Sequence, residues 1–389
     1  MAAAQKQRSK GDNVTYKILH FSDLHLDTSF AGQGFSLGFG VERRLDLRAC
    51  LTRILARARD LKADAVTIGG DLYDHEYLLP ETAEFIKQQF ALLAPIRVII
   101  APGGKDPYMS DSPYARLNWS DNVDIFYQRK LTCLELSSDI HIWGACNPPP
   151  LGHKLFDDFK PANGVNILLL HGLQGNNNKD IYNINDEVVK NIGFTFALLG
   201  GEHIANITSA NQSICTYPGT PEPLNQSEEN GLHQIVSINF SGQDYMLQTY
   251  EVQQWHYRVV QLDITKYSSN EDTARQISNL LEKENQKSSR SAISVELKGH
   301  ARFDLNLFAL RELIQSNVFY RLENHISMSY DIEQLAHEQT VRGLLVKNFQ
   351  ERINRAMTEF ERYQELTALN IALQALEGKQ VSLYEIKEN

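Results

Sequence analysis

Four short stretches carry side chains able to hold a cation. Asp23-Leu24-His25 sets a carboxylate and an imidazole two residues apart, so both can turn toward one ion. Gly69-Gly70-Asp71-Leu72-Tyr73-Asp74 has glycines that let the backbone pass close to a metal while Asp71 points into the site. His171-Gly172 and Gly200-Gly201-Glu202-His203 add imidazoles. Two aspartates with two or three histidines form a hard-to-borderline donor set suited to Mn, Fe or Zn. A lone Asp-x-His is more often a hydrogen-bonded turn than a ligand pair. The weight here comes from order. The stretches follow short apolar runs at Tyr16 to Phe21, Ala65 to Ile68, Val165 to Leu170 and Phe196 to Leu199, and a further run, Ile96 to Ile100, leads into Gly103-Gly104-Lys105-Asp106. Loops beyond the carboxyl ends of strands share one edge of an open α/β sheet, so five such loops converge.

The elements that must position them alternate β-branched runs with longer amphipathic stretches, the signature of an α/β layer architecture. A helix is predicted over Arg43 to Leu61, with Leu47, Leu51, Ile54, Leu55 and Ala58 on one face. Its other face carries Arg44, Arg48, Arg53, Arg57 and Arg59, either a charged outer face or a contact for nucleic acid or a partner. From about Trp255 the pattern becomes strand (Tyr257 to Ile264), helix (Glu271 to Glu284), strand (Ala292 to Leu297), helix (Asp304 to Ser316) and strand (Phe319 to Tyr330), with a flexible loop over Glu282 to Arg290. Val341, Leu345, Phe349, Ile353, Met357, Phe360 and Tyr363 then recur at helical spacing. The predicted organisation is a disordered tail at 1–14, a catalytic-type domain at 15–250, a small α/β cap at 251–330 and a helical region at 331–389.

Composition narrows the class. With 389 residues, 42% hydrophobic and 22% charged, the chain is neither fibrous nor disordered. Its apolar runs, such as Ile167 to Leu170, fall far short of the roughly 20 residues that cross a bilayer. Met1 to Asn13 is polar, which predicts no signal peptide and a cytoplasmic protein. Cys50, Cys133, Cys146 and Cys215 form no CxxC pair and read as reduced, mostly buried thiols. A net charge of -10 argues against coating nucleic acid by charge alone.

Phe21-Ser22-Asp23-Leu24-His25-Leu26-Asp27, Gly70-Asp71-Leu72-Tyr73-Asp74, Trp119-Ser120-Asp121-Asn122-Val123 and Tyr217-Pro218-Gly219-Thr220-Pro221-Glu222-Pro223 together resemble the calcineurin-like metallophosphoesterases, and within them the SbcD and YhaO type of DNA repair exonuclease subunit. The resemblance spans about residues 16–250. It implies a metallophosphoesterase β-sandwich flanked by helices, a small α/β cap, and C-terminal helices that dock on the coiled-coil base of an SMC-like ATPase. It also implies DNA as substrate, a homodimer and a divalent metal, Mn first with Fe or Zn as alternatives. Carried over by position, the first metal site uses Asp23, His25, Asp71 and His203. The second shares Asp71, adds His171, and needs an Asn and a His that are Gly104 and Gly201 here. Where the family places a transition-state His this chain has Lys105, so Lys105 and the adjacent Asp106 are the catalytic candidates. The Lys105 ammonium either takes the place of the second cation beside Asp71 and Asp106 or points to solvent. His75 and Glu202 are the candidate replacement ligands. The implied function is an inactive or weakly active nuclease-family subunit of a DNA-processing complex in repair, recombination or defence. The alternative is an active phosphodiesterase using one metal and Lys105.

Overall fold

A computed structural model describes residues 15–149, 155–156, 159–174, 182–184, 189, 191–210, 213–241, 244–287, 290–301, 303, 305–328 and 332–378. The tail expected at 1–14, the end of the strand expected to reach Tyr330, and residues 379–389 of the helical region lie outside them. The chain divides into two compact units, one of residues 1–257 with 290–292 and one of residues 258–289 with 293–389.

The first unit begins with β1 (Tyr16–Phe21), α1 (Phe39–Asp60), β2 (Ala65–Ile68), α2 (Pro80–Ala91), β3 (Arg97–Ile100), α3 (Pro113–Arg116) and β4 (Val123–Ile125). It continues through β5 (Thr132–Ser137), β6 (Ile140–Gly144), β7 (Val165–Gln174), β8 (Tyr182–Ile184), β9 (Phe196–Gly200), β10 (Asn206–Ala210), β11 (Ser213–Tyr217), β12 (Gln234–Ser241) and β13 (Asp244–Glu251). One sheet runs β13-β12-β1-β2-β3-β4 and the other β10-β11-β9-β7-β6-β5, with β8 on β7. The β1 to β4 ladder is parallel, so its three following loops emerge at one edge. Parallel pairing of β7 with β9 does the same in the second sheet, placing His171 opposite Gly200.

The sheets face each other across one core. Ile18, Ile99, Val236 and Phe240 of the first interdigitate with Ile142, Ile167, Leu169, Phe196 and Leu198 of the second. This is a mixed α/β sandwich of two mixed sheets flanked by helices. Strands covered on both faces read as continuous apolar runs, which is why β2 and β9 were visible in the sequence. β13, whose residues alternate between half-buried and exposed, was not.

Helix α1 starts four residues earlier than its periodicity suggested, and its arginines are largely internal. Arg43 is fully buried, 3.0 Å from Asp46 and 2.7 Å from the Pro223 carbonyl, with its guanidinium over the Trp255 ring at 4.7 Å. Arg53 binds Glu222 at 2.6 Å and Arg48 binds Asp27 at 3.3 Å. Two of the five stripe residues, Arg48 and Arg53, are therefore paired within the fold, Arg44 is half-buried, and Arg57 and Arg59 are exposed. Cys50, Cys146 and Cys215 are buried, Cys133 is exposed, and none of the four forms a disulfide.

His20, on β1, is a core residue. Its Nε2–H donates to the Leu199 carbonyl at 3.1 Å, leaving Nδ1 to accept from the Thr67 hydroxyl at 3.0 Å. Burial holds its pKa down to about 4, against 6.5 for a free imidazole. The unfolded chain binds the proton first, so stability is retained above about pH 6.5 and lost as the pH falls toward 4. Roughly 3 kcal/mol is at stake over that window. Urea unfolding between pH 7.5 and 4.5 should show this loss, and His20→Gln should flatten it.

The second unit opens with β14 (His256–Asp263), whose first two residues belong to the first unit, then α4 (Asn270–Asn285), β15 (Ser291–Lys298), β16 (His300–Ala301), α5 (Leu307–Leu313), β17 (Phe319–Asn324) and β18 (Ser327–Met328). Three strands, β14-β15-β17, form its sheet. Ile277 and Leu281 of α4 and Leu310 of α5 pack with Ile293, Val295 and Leu297 of β15. The expected loop begins later than Glu282, because α4 continues to Asn285. The expected helix at Asp304 to Ser316 shortens to α5, capped by Asn306. Helices α6 (Ile332–Ala336), α7 (Val341–Arg355) and α8 (Glu359–Leu376) build a separate small core around Leu335, Val346, Phe349, Leu369 and Leu373. Among the described residues no helix is long and apolar enough to cross a membrane.

Candidate metal centre

Two of the motif loops zip together. Asp23 N donates to the Gly70 carbonyl at 3.0 Å, His25 N to Asp71 O at 2.9 Å and Leu26 N to Leu72 O at 2.9 Å, so the Asp-x-His and Gly-Asp stretches run side by side. The backbone bends sharply to do this. Among the described residues five non-glycines have positive φ, and four of them, Asp23, His25, Asp27 and Asp71, lie in these two loops. Such conformations persist only where surrounding bonds enforce them, and they concentrate at functional sites. The second sheet closes onto the pair at Gly69 and Gly200, where a β-carbon on Gly200 would strike the Gly69 carbonyl.

All five sequence-predicted ligands meet here. Asp23, His25 and His203 offer donor atoms within 4.8 Å of one another, and so do Asp23, Asp71 and His171. The two groups share Asp23, while Asp71 Oδ2 lies 3.8 Å from His25 Nε2 and 3.5 Å from His171 Nε2. Each imidazole is held from behind through Nδ1. His25 binds Asp74 at 2.7 Å, His203 binds Glu228 at 3.0 Å, and His171 donates to the Gly69 carbonyl at 2.9 Å. Fixing Nδ1–H on an acceptor leaves Nε2 available to a metal, and the Nε2 atoms of His25 and His171 face Asp71. His25 Nε2 is buried and has no hydrogen-bond partner among the described residues. A buried nitrogen left without a partner is destabilising unless something coordinates it.

The electrostatics also favour a cation. Burial pushes the Asp23 carboxyl upward, and the neighbouring Asp71 adds to this. At His25 burial opposes protonation, but the bond to Asp74 and the charges of Asp71 and Asp23 raise its pKa to about 9. Burial likewise opposes protonation of His171, and Asp71 with Asp23 overcomes it. In the metal-free protein protons compensate the crowded carboxylates, a role a divalent ion performs when bound. The donor set therefore fits a divalent cation.

The remaining candidates are placed differently. Asp106 is fully buried and accepts from Asp71 N at 2.8 Å, Gly103 N at 2.6 Å, Leu72 N at 2.9 Å and the Tyr114 hydroxyl at 2.6 Å. Burial, with Asp71 adding to it, raises its pKa to about 7. These four donors use both oxygens, making Asp106 a staple between the two loops. Asp106→Ala leaves three backbone N–H groups unpaired and should lower stability by at least about 3 kcal/mol in urea unfolding. Lys105 is exposed. Its backbone N–H, at 2.7 Å, binds Asp71 Oδ1, and its ammonium makes no ion pair among the described residues. His75 Nε2 is 3.8 Å from Asp111, and neither His75 nor Glu202 joins a donor group. At Gly201 the backbone N–H reaches both Asp23 oxygens, at 3.1 and 3.0 Å. His141 is buried on β6, 3.0 Å from the Asn163 carbonyl. The sequence reading missed Asp74 and Glu228. Asp74 sits in a motif already noted, but nothing local marks Glu228, which is brought to His203 only by the turn after β11.

A family model described as calcineurin-like phosphoesterase matches residues 16–218, more than half of the chain. The chain belongs to the calcineurin-like phosphoesterase family, which implies divalent metal use. No curated protein matches it. Among solved structures it is similar to the TT1561 protein of Thermus thermophilus, at 14% identity over 61% of this chain and 100% of that one, TM-score 0.35. A conserved Streptococcus pneumoniae protein described as a predicted phosphoesterase gives 16% identity over 59% and 84%, TM-score 0.27. Vacuolar protein sorting 29 of Cryptosporidium parvum gives 13% over 61% and 91%, TM-score 0.32.

Proposed function

We propose that this chain is an SbcD- or YhaO-like subunit of a DNA-processing complex. It keeps the phosphoesterase fold and one metal pocket, hydrolyses phosphodiesters weakly or not at all, and works as a homodimer with an SMC-like coiled-coil ATPase that its C-terminal helices engage. One observation supports weak chemistry above the others. On the side of Asp71 and His171 the remaining family positions are Gly104 and Gly201, which have no side-chain donor. Divalent metals in this family supply a Lewis acid that polarises phosphate and generates hydroxide near neutral pH. In this chain Asp23, His25, Asp71 and His203 would hold the ion, with His171 beside them. Asp74 and Glu228 aim His25 and His203, and Asp106 fixes the spacing of the two loops. Each missing electrostatic group typically lowers a rate by about 100- to 1000-fold.

The competing reading is a metal-dependent DNA exonuclease or endonuclease using the intact pocket and Lys105, and the Nε2 atoms of His25 and His171 facing Asp71 favour it. Purified protein with manganese and labelled single- or double-stranded DNA separates the two. Hydrolysis no faster than that of Asp71→Asn supports the subunit reading, and Asp71-dependent cleavage establishes the nuclease. Docking is tested by deleting residues 339–389: a truncated chain that still co-purifies with a coiled-coil ATPase removes that part of the proposal.

A further inference from the structure

Glu228 lies 25 residues beyond His203 in sequence, in a short 3-10 turn (Gln226–Glu228), yet it is the group that faces His203 Nδ1. Its side chain is only 11% exposed. One oxygen accepts from His203 Nδ1 at 3.0 Å and from Asn225 Nδ2 at 2.8 Å. The other accepts from Leu224 N at 2.8 Å and from the Thr220 hydroxyl at 3.5 Å. The His233 ring packs beside this turn, its Nε2 3.0 Å from the Glu228 carbonyl and its Nδ1 2.8 Å from the Thr220 carbonyl and 3.2 Å from the Thr220 hydroxyl. On its far side the same turn is fastened to the fold. The Leu224 carbonyl accepts from Gln33 Nε2 and the Tyr257 hydroxyl, each at 3.0 Å, and the Pro223 carbonyl accepts from Arg43 at 2.7 Å.

The carboxylate is thus placed rigidly while its partner is not. The His203 side chain is 35% exposed, the most exposed imidazole of the centre. A half-exposed histidine samples both tautomers and several ring angles unless an acceptor fixes Nδ1–H. We propose that Glu228 is a positioning residue for the metal centre: it sets the tautomer and aim of His203 and, through its second oxygen, couples occupancy of the centre to the turn from Thr220 to Leu224. This rests on His203 being a ligand.

The test uses the full chain and manganese. Calorimetric titration of Glu228→Ala should show affinity about 10- to 100-fold weaker than wild type, the usual effect of losing such a supporting group. Thr220→Val loosens the turn while leaving the bond to His203, and should bind within about twofold of wild type. In metal-free protein labelled with 15N-histidine, His203 should be a single Nδ1–H tautomer in wild type and a mixture in Glu228→Ala. In wild type, manganese should slow hydrogen exchange at the Leu224 amide. Wild-type affinity in Glu228→Ala, an equal loss in Thr220→Val, or an unchanged His203 tautomer overturns the positioning role. An unaffected Leu224 amide overturns the coupling. If wild type itself binds no manganese, the metal-site reading falls and this inference falls with it.

Discussion

Asp71→Asn is expected to weaken manganese binding by about 1,000-fold or more, some 4 kcal/mol, the scale of removing one member of a buried charged set. Asp71 Oδ1 accepts from Lys105 N at 2.7 Å, and Oδ2 faces His25 Nε2 at 3.8 Å and His171 Nε2 at 3.5 Å. An asparagine must keep its oxygen on the Lys105 amide, because its NH2 cannot accept. That orientation aims two N–H donors at the imidazole nitrogens, where a cation would bind. The loss should not reflect unfolding. The Asp71 charge raises the pKa of both Asp23 and Asp106, so its removal relieves crowding in the metal-free protein. Asp71 also supports the protonated forms of His25 and His171, so the two effects offset and the metal-free variant should melt close to wild type. Calorimetric titration with thermal melts checks both points, and manganese affinity within tenfold of wild type would remove Asp71 from the centre.

The second large effect is a gain. Gly104→Asn combined with Lys105→His should add a second manganese equivalent and raise DNA hydrolysis by about 100-fold, because two side-chain groups return to a pocket that still has Asp71 and His171. Gly104 is exposed and its φ is not positive, so an L-residue there needs no left-handed backbone. Gly201 behaves differently. Its φ of 111° is a region that L-residues rarely adopt, and its N–H is committed to the Asp23 carboxylate. Gly201→His should lose about 1–3 kcal/mol of stability and restore no binding. Metal counting by mass spectrometry, a labelled-DNA assay and urea unfolding read the contrast. A Gly201→His protein as stable as wild type would refute the conformational argument, and a double variant without a second metal would refute the pocket argument.

The candidate ligand positions were legible because a bend at the end of a parallel strand leaves a local record: an apolar run, then glycine, carboxylate or imidazole. That record led to Asp23, His25, Asp71, His171 and His203, which the fold gathers at one edge. It also brought attention to Asp106, whose role no spacing could specify, since four donors from three separate segments engage it. The basic stripe of α1 was equally ambiguous. Whether an arginine meets solvent or a buried carboxylate depends on what packs against the helix, and for Arg53 that is Glu222, 169 positions away.

From the sequence alone came the layer class, the strands covered on both faces, and a cation-binding set, since periodicity and residue chemistry are local properties; the family resemblance added that glycine stands at two expected ligand positions. Only the tertiary structure decided which nitrogen of each histidine is held from behind, that His203 is held by Glu228, that Lys105 offers Asp71 its amide, and that Gly201 has a backbone angle unfavourable to a side chain. These depend on hydrogen bonds and backbone angles imposed by distant segments, for which chain order contains no direct signal.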